Sequence, residues 1–322
     1  MGALVKKRKI VRRVLFITLC VFVSMNMLAY FHAYKFTHFD TSARIKTQDP
    51  KKLSFGQKIK TIFLGVNNPR PENKSFPKRE FQTVKLKSNK IIECWLIKST
   101  AHRGTVILFH GFSGDKSSML DKAEIFSDLG YDTMLVDFMG SGGSEGNQTT
   151  IGYREAQEVK TAFDYLESSG EQHIILFGTS MGAVAIMKAQ ADYKLKVTAI
   201  LLECPFGTML ETVQSRFKSM HIPAFPMANL LVFWGGIQNG FNGFKHNPVQ
   251  YAKSITCPAL LLYGEKDEKV SRKEMDAIYR NLNGPKKMVT YPLAAHEDYL
   301  IRYKVKWKAD ISAFLIETKP VG

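Results

Sequence analysis

Ile174-Ile-Leu-Phe-Gly-Thr-Ser-Met-Gly-Ala183 is the stretch that decides how this chain folds. An apolar run ends in Gly-x-Ser-x-Gly and continues into Val184-Ala-Ile-Met187, which favours helix. The stretch therefore reads as strand, tight turn and helix, with Ser180 at the apex. A serine hydroxyl becomes a good nucleophile only when it is exposed, aimed and next to a base. The sharp turn supplies the exposure, and glycines at 178 and 182 remove Cβ atoms that would collide as strand and helix close on each other. The Met181 N–H, in the first helical turn, is expected to face the point where an oxyanion forms. Chance and ordinary Gly-rich turns also supply such a pentapeptide, so the reading depends on partners elsewhere in the chain.

Three partners are required, each at a strand end: a second oxyanion donor upstream, then an acid and a histidine downstream. Upstream, Thr105-Val-Ile-Leu-Phe-His110 runs into Gly111-Phe-Ser-Gly114, where the glycines let the Phe112 N–H turn toward the same point as that of Met181. His110 precedes the turn and is expected to scaffold the loop rather than act as a base. Downstream, Cys257-Pro-Ala-Leu-Leu-Leu-Tyr263 is followed by Gly264-Glu-Lys-Asp267. A carboxylate there can fix the tautomer of a histidine and stabilise its imidazolium. Asp267 is the expected acid, Glu203 the reserve, and Glu265 and Glu268 are expected to be solvated loop charges. Lys287-Met-Val-Thr-Tyr291 then leads to Leu293-Ala-Ala-His296. Of eight histidines, His296 alone follows the acid on a strand-end loop, with Glu297 and Asp298 suited to the first turn of a closing helix.

The order Ser180, Asp267, His296 resembles that of the α/β-hydrolase superfamily, over about residues 80–318. Asp137-Phe-Met-Gly-Ser-Gly-Gly-Ser144 is similar to that family's Asp-x-Arg-Gly-x-Gly-x-Ser loop, with Met139 where the arginine usually stands. The layout resembles monoglyceride-lipase-like and serine-peptidase-like branches. His110-Gly-Phe-Ser-Gly114 departs from the fuller His-Gly-x-Gly-x-His loop of the monoglyceride lipases.

Charge is distributed unevenly along the 322 residues, which carry a formal +16. Residues 1–34 hold six Lys/Arg and no acid, residues 35–103 hold sixteen against five, and the rest hold twenty-three against twenty-four. A nucleic-acid enzyme would carry its positive field around the site, so an electrically balanced core argues against a nucleic-acid partner. The N-terminal excess has another source. Lys6-Lys-Arg-Lys9 and Arg12-Arg13 precede Val14–Phe31, eighteen residues without a charge. At about 1.5 Å per residue these suffice to cross a hydrocarbon layer about 30 Å thick. Basic residues ahead of the run predict a cytoplasmic N-terminus and an extracytoplasmic catalytic domain. A cleaved signal peptide, giving a secreted enzyme, is the alternative. It fits less well, because the run is long for such a segment and Phe31-His-Ala-Tyr34 lacks a small-x-small cleavage site.

The expected organisation is a basic segment (1–13), a transmembrane anchor (14–31), a basic tether (32–80) with a short amphipathic helix near 55–63, and a catalytic domain (81–318). Within that domain, strands at 81–87, 91–97, 105–110, 132–137, 173–177, 197–202, 259–263 and 287–291 alternate with helical patterns. The fold class is therefore α/β, a mostly parallel eight-stranded sheet covered on both faces, with its site at the strands' carboxyl ends. An apolar, Met- and aromatic-rich insertion at about 205–248 is expected to form a small cap. The four cysteines have no metal-type spacing, and neither a metal nor a cofactor is expected. The expected function is that of a membrane-tethered serine hydrolase acting on a small-molecule ester or lipid. Peptidase, thioesterase or acyltransferase activity is the alternative on the same apparatus, and a non-catalytic membrane adaptor is a more distant one.

Overall fold

The computed structural model describes residues 2–42, 45–47 and 54–318. Strands β1 (Phe81–Lys87), β2 (Ile91–Ile97), β3 (Thr105–Phe109), β4 (Asp132–Val136), β5 (Ile174–Thr179), β6 (Ala199–Glu203), β7 (Ala259–Gly264) and β8 (Lys286–Tyr291) form one sheet in the order β1-β2-β4-β3-β5-β6-β7-β8. The two pairs made by β2, with β1 and with β4, are antiparallel; β4 through β8 are parallel. Every residue of β3, β4, β6 and β7 is buried. That is why these strands are continuous apolar runs rather than alternating ones.

The two-residue period still sorts side chains between the faces. Ile107, Phe109, Ile174 and Leu176 point to a layer containing α4 (Glu155–Ser168), α5 (Met181–Tyr193) and α9 (Arg272–Asn281). Val106, Leu108, Ile175 and Phe177 point to the opposite layer, built on α3 (Leu120–Asp128) and α10 (Tyr299–Glu317). Between β6 and β7 the 205–248 insertion supplies α6 (Met209–Ser219) and α7 (Met227–Gln238), and the short α8 (Pro248–Tyr251) follows.

Ahead of the sheet lie α1 (Gly2–Thr37) and α2 (Phe55–Leu64), the latter starting at a Ser54/Gln57 capping box. The stretch Lys6–Thr37 is long and apolar enough to cross a membrane. Residues 6–24 are exposed all round, and burial begins at residue 25 on one helical face that includes Ala29 and Ala33. The helix runs beyond residue 31 because its last turns have a tertiary partner.

The 32–80 stretch, expected to be a tether, is docked over much of its described length. Phe39 is buried, His38 bridges to Gln148, and Asp40 bridges to Pro69. Arg70 donates to the carbonyls of Gly142, Ser144 and Gly146. Asn73 donates to Asp137. The parts of the tether at 43–44 and 48–53 lie outside the described residues.

Candidate active site

The turn between β5 and α5 is forced by contact distances. A Cβ on Gly178 would stand 2.5 Å from the Ala183 nitrogen, and one on Gly182 would stand 2.3 Å from the Phe109 carbonyl oxygen. Only glycine admits so close an approach. Between them Ser180 sits at φ 52°, ψ −111°, a strained backbone held by the strand beneath it: its N–H donates to the Glu203 carbonyl at 2.7 Å. The strain aims the side chain out of the sheet. Ser180 Oγ lies 3.1 Å from His296 Nε2.

His296 and Asp267 come from two loops that press on each other. A Cβ on Gly264 would stand 2.6 Å from the Ala294 carbonyl oxygen, so the loops after β7 and β8 close only because residue 264 is glycine. Asp267 Oδ2 then accepts from His296 Nδ1 at 2.7 Å, while Oδ1 accepts the N–H groups of Lys269 at 2.8 Å and Val270 at 2.9 Å. The Asp267 side chain is fully buried and that of His296 is 18% exposed. With Nδ1–H committed to Asp267, Nε2 is left as the acceptor that faces the serine hydroxyl.

The loop expected to hold the upstream oxyanion donor is equally close. A Cβ on Gly111 would lie 3.6 Å from Ser180 Cβ, so the 111–114 loop abuts the serine. The Met181 N–H is in the first turn of α5, where a helix offers no acceptor of its own. The ring of Phe112 stacks on Phe36 of α1, with centroids 4.6 Å apart and planes 7° apart. His110 is buried and bonded at both nitrogens. Its Nδ1 donates to the Gly111 carbonyl at 2.8 Å and its Nε2 accepts from the Phe138 N–H at 3.1 Å. Burial lowers its pKa, so it is a neutral scaffold for the loop.

Asp267 rather than Glu203 faces the histidine. Glu203 is wholly buried behind the serine, where it accepts from Thr179 Oγ1 and Trp307 Nε1, both at 3.1 Å, and pairs with Lys122 at 3.5 Å. Lys122 also donates to Asp298 at 2.6 Å, and Asp298 caps α10 two residues after His296. Burial alone would lower the Lys122 pKa, but these two carboxylates outweigh it and raise it. Glu265 and Glu268 are exposed.

Sequence reasoning did not single out Lys122, Arg70 or Phe36. Met139, in place of the family's arginine, is buried; Arg70 brings a guanidinium to the same Gly-rich loop from the N-terminal side. A polar, Pro-containing context gave no signal of that contact.

Among the described residues, one set with metal-ligating chemistry gathers: Cys204, Asp267 and His296 offer ligand atoms within 4.8 Å of one another. Burial, then the neighbouring Glu203 and Asp267 carboxylates, raises the Cys204 thiol pKa well above its ordinary value. A thiol kept protonated is a poor metal ligand, and the set suits proton handling better.

A sheet of this order carrying a strand–serine–helix turn defines the α/β-hydrolase fold, and the chain is similar to serine hydrolases of that superfamily. Residues 100–236 match the model of the family described as serine aminopeptidase, S33. The chain is 22% identical over 215 residues to the uncharacterized protein YqkD of Bacillus subtilis, covering 66% of this chain and 70% of that one. It is 26% identical over 182 residues to the lysophosphatidylserine lipase ABHD12 of Mus musculus, covering 54% of this chain. That match spans 44% of the lipase's own length. In structure it is similar to the Pyrococcus furiosus esterase Pf2001, with a TM-score of 0.66 at 23% identity, covering 78% of this chain and 97% of the esterase.

Proposed function

We propose that the protein is a membrane-tethered serine hydrolase that cleaves carboxylic esters of apolar, lipid-like acyl groups. Ser180 attacks the carbonyl while His296 Nε2 takes its proton; Asp267 holds the imidazolium, and the Phe112 and Met181 N–H groups receive the oxyanion. The alcohol departs with the proton returned by His296. Water activated by the same ring then releases the acid from the acyl-enzyme. The observation that carries this reading is the hydrogen-bonded line from Ser180 through His296 to Asp267, at 3.1 and 2.7 Å. An apolar acyl group is supported by the composition of the cap, α6 and α7, and by likeness to a lipase. The apolar α1 supports a single-pass anchor, and the basic residues before it support a cytoplasmic N-terminus with the hydrolase on the far side.

The matched family's description favours a second reading, an aminopeptidase. That activity needs an acid to hold the substrate amine. Glu211, the acid the cap offers, is engaged by the Thr208 hydroxyl at 2.9 Å as part of the α6 N-terminus. Uncharged acyl substrates fit better.

A fluorophosphonate probe tests the mechanism. Wild type is expected to label and Ser180→Ala not to; equal labelling would refute the nucleophile. Asp267→Asn is expected to fold and to lose about 10⁴-fold in kcat, as triad acids do. On a p-nitrophenyl ester series, rates confined to acetate would refute an apolar acyl site.

A further inference from the structure

The contact between the anchor and the cap fixes where the cap stands relative to a bilayer. Trp234 of α7 packs edge-on against Tyr30 of α1, with centroids 5.4 Å apart, and its Nε1 donates to Asn26 Oδ1 at 3.1 Å. Gln238 Nε2 donates to the Tyr30 carbonyl at 2.8 Å. Ala29 and Ala33 are buried on this face, and a Cβ on Gly235 would lie 3.9 Å from Ala33 Cβ. Small residues of this kind let helix backbones approach within a membrane. Asn26 lies five residues inside the end of the uncharged run, so at about 1.5 Å per residue Trp234 reaches a level roughly 7 Å within the hydrocarbon.

The rest of α7 suits that level. It carries no charge from Met227 to Gln238, and at about 18 Å it is too short to span a bilayer. Next to its α1-facing stripe, Phe233 is 45% and Ile237 58% exposed; Phe225, just before the helix, is 78% exposed. Phe233 packs edge-on against Trp234, with centroids 5.1 Å apart, and Trp234 in turn meets Tyr30 of α1, which like Met27 is itself exposed. Water would be a poor solvent for such a patch, and the membrane that receives α1 is already at hand.

The site is also near. Phe36 lies five residues, roughly 7 Å, beyond Phe31 along α1. It stacks directly on Phe112, whose loop abuts Ser180.

We propose that α7 and the Phe225 turn are embedded in the leaflet that α1 leaves, so that an amphiphile reaches Ser180 sideways from the bilayer rather than from water. The partner of this surface is the acyl region of a lipid leaflet. This inference rests on the proposed tethering, and its test separates the two.

Full-length protein is reconstituted in phosphatidylcholine vesicles with acyl chains brominated near the headgroup, and washed with alkaline carbonate. Trp95 and Trp307 are buried in the hydrolase domain, so quenching reports Trp234. The protein is expected to stay in the pellet and show quenching that Trp234→Phe abolishes. The variant Phe233→Asp/Ile237→Asp is expected to keep the pellet, the melting temperature and hydrolysis of soluble p-nitrophenyl butyrate. On a long-chain ester presented in the vesicles it should lose about tenfold or more in kcat/KM, since acidic side chains resist burial in hydrocarbon. Release by carbonate would refute the tether and this inference with it. Retention without Trp234 quenching, or equal rates of variant and wild type on both substrates, would overturn the inference alone.

Discussion

Glycine and histidine positions decide most of what a single residue can do here. The Gly-x-Ser-x-Gly turn has no room for a methyl group, because the nearest atoms to a Cβ on Gly182 are backbone, at 2.3 and 2.8 Å. Gly182→Ala is expected to cost about 3 kcal/mol or more, the upper end for overpacking, read from urea unfolding. Gly56→Ala, where nothing lies within 4 Å, is the control and should be neutral or stabilising by up to about 1 kcal/mol. His246 contributes to the acid response. It is fully buried, with Nε2 3.0 Å from the Ile151 carbonyl, and burial lowers its pKa from 6.5 to about 4. The unfolded chain therefore binds a proton that the folded chain refuses. Stability is complete above pH 6.5 and falls as pH drops toward 4. Between pH 7 and 5 this residue should account for about 2 kcal/mol of lost stability. His246→Gln should lose less over that interval in the same unfolding series; an identical slope would count against it.

At the scale of elements, the parts legible in the sequence are those whose signal is local. Each strand is a short apolar run, and the serine, acid and histidine each follow one within a few residues. Their order could thus be read without knowing how the loops meet. The Lys122 network could not, because Lys122 and Asp298 are 176 residues apart and neither has a distinctive neighbourhood. The same holds for Arg70, whose bonds to the Gly-rich loop span 72 to 76 residues. Lys122 ties the strand end behind Ser180 to the helix that follows His296. Lys122→Met strands two carboxylates, one of them fully buried, and should cost about 3–5 kcal/mol. Adding Glu203→Gln should recover part of it, which a double-mutant cycle by urea unfolding would measure.

For the whole molecule, composition revealed a basic N-terminus ahead of a long apolar run but not that much of the following segment is packed against the α/β body. Polar, Pro-containing sequence reads as linker, whereas its packing comes from scattered anchors: Phe36, Phe39, Arg70 and Asn73. A chain beginning at residue 81 should therefore melt roughly 5–10 °C below one beginning at residue 33, since charged hydrogen bonds and an aromatic stack are lost together. Equal melting temperatures would mean that these contacts contribute nothing.

The stack of Phe36 on Phe112 also bears on shedding. Phe36 belongs to the helix that carries the apolar run, yet its ring braces a loop beside Ser180. Under the proposed tethering, a protease cutting between Phe31 and Lys35 would leave that brace with the released body, so detachment would change what the enzyme can reach without dismantling the loop that the brace supports.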